Sequence, residues 1–216
     1  MNFVGHAMAA RWRGDDPRFT LGAMLPDFAR MCGGRLVATH DDEISAGVSF
    51  HHRSDAIFHE TPTFLALCAS ARTLLGRAGV RRACALAAAH VGVELLLDGV
   101  WLARPGVASA YLEAIAYTQR GPVTALQWRA SEHAARFEHM CARLSDAGIP
   151  DGYRDPDEVG RRLHRILGAR PRLAPGDGDD QRLIGWARAA QADVVEAAST
   201  LESELRAGLL HERESN

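Results

Sequence analysis

Between Gly79 and Arg104 the chain is hydrophobic on nearly every helical face, yet it carries His90, Glu94 and Asp98 at successive i+4 steps. A helix apolar all round belongs in the interior of a bundle. Burying an unpaired carboxylate there costs several kcal/mol, so Glu94 and Asp98 need cations, hydrogen bonds or a polar cavity. The rest of the sequence has the same period. Good helix formers dominate and period-2 runs of β-branched residues are absent, so the expected fold class is all-α, a multi-helix bundle. At 216 residues, one domain over residues 1–216 is the expectation, with no internal repeat and no linker of domain-separating length.

Caps and breakers divide the chain. Helices are expected at about Asn2–Trp12, Thr20–Cys32 with a kink or restart at Pro26, a third through Ile44, Val48, His51, Asp55 and Phe58 after an Asp41 or Asp42 cap until Thr61-Pro62 interrupts it, and Pro62–Leu75 after a Thr61 cap. Further helices follow at about Gly79–Arg104, Val107–Gln119, Val123–Asp146, Pro156–Leu167 and Asp180–Leu209.

Charge excludes some partners. With 25 basic against 27 acidic residues and no basic run, nothing concentrates the positive potential that nucleic-acid binding needs. Every basic residue is Arg, whose planar fork suits phosphate. Arg81, Arg82, His90, Glu94 and Asp98 interrupt the most apolar segment, and on that ground a membrane span is not expected. The first residues lack a basic n-region and an apolar h-region, so the expected location is cytoplasmic. Cys32, Cys68, Cys84 and Cys141 form no C-x-x-C pair and read as reduced.

The helix from Asp42 repeats the ligand spacing. His51, Asp55 and His59 fall at i+4 steps on one stripe, matching His90, Glu94 and Asp98 on the apolar helix. Two facing helices that each supply His and carboxylate side chains are how bundle cores build metal sites, so a divalent metal is the expected cofactor. The plainer alternative makes these stripes solvated faces and structural ion pairs, as in a helical binding or regulatory module without hydrolase activity. Arg53 stands beside the first stripe, within reach of a substrate phosphate, and His52 beside it reads as exposed.

Met1-Asn2-Phe3 with His6, then Gly22 to Leu25 leading into Asp27-Phe28, then His51-x-Arg53-x-Asp55 resemble the acyl carrier protein phosphodiesterases. Glu94, Asp98, Trp101 and Leu102 are similar to that family's next element, and Arg170-Pro171-Arg172-Leu173 to a later one. The resemblance implies an α-helical fold related to the HD-domain phosphohydrolases and hydrolysis of the phosphodiester that joins 4'-phosphopantetheine to acyl carrier protein. It implies manganese as the usual metal, with iron, magnesium or zinc as other choices. The expected metal ligands are Asp27, His51, Asp55, His59, His90, Glu94 and Asp98, with His6 and Asp27 catalytic and Arg53, Arg170 and Arg172 on the substrate. His59 and Glu94 stand where the family has Asp, Gly99 where a His commonly follows, and His90 is an addition. A small phosphodiester or nucleotide is the alternative substrate.

Overall fold

The computed structural model describes residues 1–120 and 126–214. It is 77% helical, with nine α-helices among the described residues and one two-stranded sheet, so the all-α expectation holds. The helices are α1 (Phe3–Ala10), α2 (Pro17–Met31), α3 (Asp42–Glu60), α4 (Pro62–Arg77), α5 (Arg82–Trp101), α6 (Val107–Gln119), α7 (Ser131–Ala147), α8 (Pro156–Gly168) and α9 (Asp179–Glu214). The strands β1 (Leu36–Thr39) and β2 (Leu126–Trp128) pair antiparallel, with Leu36 opposite Trp128 and Thr39 opposite Leu126.

Local chemistry explains the helix starts. The Asp16 carboxylate accepts from the Arg18 backbone N–H at 2.8 Å, and Pro17 takes the first helical position, where no N–H is needed. The Asp41 carboxylate accepts from the Ile44 N–H at 3.0 Å, and the Thr61 hydroxyl accepts from the Phe64 N–H at 3.4 Å. Three expectations need correction. Helix α2 begins at Pro17, earlier than the expected Thr20, and continues through Pro26 to Met31, so of the two outcomes expected at Pro26 the restart does not occur. The helix expected from Val123 begins instead at Ser131, because Leu126–Trp128 pairs with β1, and its residues 123–125 lie outside the described residues. Charged interruptions do not keep α5 from being long and apolar enough to cross a membrane. Of its most apolar 18-residue window, 61% is buried inside the protein.

The chain forms two compact units. The first comprises Met1–Asp55 and Trp101–Pro150. Its core includes Phe3 against Phe28 and Tyr111, at ring-centroid distances of 5.5 and 5.9 Å. Here α2 and α3 cross at two glycines: a Cβ on Gly22 would lie 2.2 Å from the Ile44 carbonyl oxygen, and one on Gly47 would lie 2.3 Å from that of Phe19. The second unit comprises Ala56–Val100 and Asp151–Asn216. Phe58 and Phe64 pack at 4.4 Å there, and Gly92 admits the indole of Trp186.

Candidate metal centre

Two groups of side chains with metal-ligand chemistry form among the described residues, one in each unit. In the first unit, α1 brings His6, α2 brings Asp27 and α3 brings His51, all buried. The crossing at Gly22 and Gly47 sets their approach, since Gly47 lies one turn before His51 and the Ala23 carbonyl beside Gly22 is the His51 partner.

The tautomers follow from the hydrogen bonds. The His51 Nδ1 lies 2.8 Å from the Ala23 carbonyl oxygen, which can only accept, so Nδ1 carries the proton and Nε2 keeps its lone pair. Ser54 donates its hydroxyl proton to the His51 carbonyl at 3.1 Å, so its oxygen accepts from His6 Nδ1 at 3.3 Å. His6 thereby turns Nε2 towards the carboxylates, 3.9 Å from Asp27 Oδ2 and 3.6 Å from Asp55 Oδ1. The two imidazoles stack at 3.8 Å between centroids. Asp27 Oδ1 accepts from the Arg30 guanidinium at 3.1 Å, and Asp55 Oδ1 from the Met1 amino group at 2.6 Å.

Burial, with a contribution from the neighbouring His6, pushes the His51 imidazole down to about 3. A ligand nitrogen must be unprotonated, so this group is held in its metal-binding state. Such a histidine stays neutral in the native chain while the unfolded chain takes up a proton near 6.5. Its contribution to stability is complete above that value and is lost progressively as pH falls towards 3, by up to about 1.4 kcal/mol per pH unit. Chelator-treated protein should lose stability between pH 6.5 and 5, and His51→Gln should flatten that slope. Urea unfolding across the range tests this, and an equal slope in both chains removes His51 as the cause.

In the second unit His59, at the end of α3, meets His90 and Glu94 of α5. His59 Nε2 lies 3.0 Å and His90 Nε2 3.2 Å from the same oxygen, Glu94 Oε1. Burial alone would raise the Glu94 carboxyl, but the His59 and His90 hydrogen bonds outweigh it and hold the group well below the usual carboxylate range. Cys68 nearby is pushed up to about 12 by burial and by the Glu94 charge, and stays a thiol.

The expected site residues thus fall into place unevenly. His6, Asp27, His51 and Asp55 converge, as do His59, His90 and Glu94. Asp98 is fully buried on α5 and belongs to neither group. Arg53, Arg170 and Arg172 are exposed, and the Arg172 carbonyl accepts from the Arg81 guanidinium at 3.2 Å. Gly99 is enforced, because a Cβ there would lie 2.1 Å from the Tyr153 carbonyl oxygen. Ser54 and the Ala23 carbonyl, which orient the two imidazoles, carry no sequence signal of their own; the glycines inside α2 and α3 were the available clue. No protein-family model, no curated protein and no solved structure matches this chain.

Proposed function

We propose that this protein is a divalent-metal-dependent phosphodiester hydrolase whose ion is held by His6, Asp27 and His51, with Asp55 beside them. The observation that carries the reading is the convergence in the first unit of two oriented imidazoles and two carboxylates, with His6, Asp27 and His51 buried and Asp55 at their edge. Nitrogen and carboxylate donors together suit a first-row divalent ion such as manganese or iron. Bound there, the ion would supply an activated water and neutralise charge developing on the phosphoryl oxygens. The residues of the chain do the rest. Ser54 and the Ala23 carbonyl keep the Nδ1 protons of His6 and His51, so both rings offer Nε2 to the ion. His6 is assigned to the metal because an Nε2 so engaged cannot also protonate a leaving oxygen. Arg53, exposed two residues beyond His51, grips the non-bridging oxygens.

The substrate follows from the resemblance to the acyl carrier protein phosphodiesterases: the bond between 4'-phosphopantetheine and its carrier serine. Holo acyl carrier protein incubated with the full chain and manganese should lose the phosphopantetheine mass, and the rate should fall steeply with ionic strength because the carrier is acidic. Hydrolysis of small phosphodiesters or nucleotides without that mass loss discards the carrier as substrate. Absence of both metal uptake and hydrolysis discards the enzyme and leaves a helical binding module.

A further inference from the structure

The group on α3 and α5 in the second unit stands apart from that reading in residues and in chemistry. Its donors are two imidazoles and one carboxylate, a set used by zinc with a fourth position left open. We propose that His59, His90 and Glu94 form a second metal site that takes a zinc-class ion and exposes one coordination position to solvent.

Four observations carry this. First, the donor spacing fits. Bonds of about 2.0–2.1 Å in a tetrahedral ion set neighbouring donor atoms roughly 3.3–3.4 Å apart, and here the two nitrogens lie 3.0 and 3.2 Å from Glu94 Oε1. Second, the rings are already oriented. The His59 and His90 rings stack at 4.8 Å between centroids, and the buried Phe64 ring packs steeply inclined to both with centroids 5.3 Å away, so few rotamers remain to be lost on binding. Third, the Glu94 side chain is only 11% exposed, so an ion would meet a poorly hydrated carboxylate. Fourth, the His90 side chain is 48% exposed, which leaves the open position facing water rather than closed as in a structural site. Two imidazoles with one carboxylate favour late first-row ions over magnesium or calcium, which take oxygen.

The site is tested on the full chain, stripped with chelator and titrated with zinc by calorimetry and with cobalt(II) by visible absorption. The parent should bind and give the intense bands of four-coordinate cobalt. His90→Ala, at a half-exposed position and placed in the Asp27→Asn background so that the first group does not contribute, should weaken zinc binding by at least about a hundredfold and lose those bands, since even outer-shell changes cost 10–100-fold. Asp27→Asn should keep them. That contrast separates this inference from the proposed hydrolase: loss of activity in Asp27→Asn with cobalt bands retained supports both, and inactivity of every chain leaves the cobalt result standing. The parent also reports directly, because zinc should shift the ring-nitrogen resonances of His90. Unchanged resonances, or zinc binding in the doubly substituted chain equal to that of Asp27→Asn in number and strength, overturn the site.

Discussion

Asp27→Asn should abolish manganese-dependent phosphodiester hydrolysis, lowering turnover by at least about a thousandfold, a loss of roughly 4 kcal/mol of transition-state stabilisation. The substitution preserves shape and the Arg30 contact can persist through the amide oxygen, so helical content should not change. What disappears is the negative charge beside His6 Nε2, and with it the balance that holds a divalent ion. A second readout distinguishes this from damage to the fold. Without metal, the cation on Asp27 is Arg30, whose side chain is 68% exposed, and losing so solvated a charge pair costs little, so the chelator-treated variant should melt close to the chelator-treated parent. The parent should melt higher with manganese than without, and the variant should melt alike in both. Full metal occupancy and turnover in Asp27→Asn would falsify the assignment.

Most of the helices could be read from the sequence because their starts are marked by chemistry that acts locally. Asp41 and Thr61 cap as their side chains allow, and Pro62 opens α4. The strands could not be read, because three or four residues are too few to display an alternation and β2 exists only through its pairing with β1. The site was legible to a different extent. The i+4 spacing marks His51, Asp55 and His59 as one stripe of α3, but spacing along a helix does not say which neighbour each side chain meets. His51 turns to His6 and the Ala23 carbonyl, and His59 to Glu94. Asp98 shares the stripe of His90 and Glu94, yet it joins neither ligand group. Tertiary partners decide such matters, and the clue to them lay in small residues. Gly22, Gly47 and Gly99 each stand where a backbone carbonyl occupies the place of a side chain.

Gly47→Ala should therefore be, with Gly22→Ala, among the most damaging single methyls in the first unit. The added carbon would sit 2.3 Å from the Phe19 carbonyl oxygen, 2.8 Å from the Gly22 Cα and 2.9 Å from the Ala23 nitrogen, all backbone atoms that no rotamer change can move. Helices α2 and α3 would have to separate by close to 1 Å to restore van der Waals contact, and overpacking of this kind costs about 1–3 kcal/mol, occasionally more. Near 3 kcal/mol, the melting temperature of a chain this long falls by roughly 6–12 °C. The same separation stretches the 2.8 Å bond between His51 Nδ1 and the Ala23 carbonyl, so metal affinity and turnover should drop even at temperatures where the variant stays folded. Gly185→Ala is the matched control. It lies inside α9 with nothing within 4 Å of the added carbon, and there alanine should stabilise by about 0.5–1 kcal/mol through helix propensity alone. Thermal melts of the two variants should move in opposite directions. If Gly47→Ala melts with the parent and keeps its metal, the α2–α3 crossing is not what holds His51 in register with His6 and Asp27.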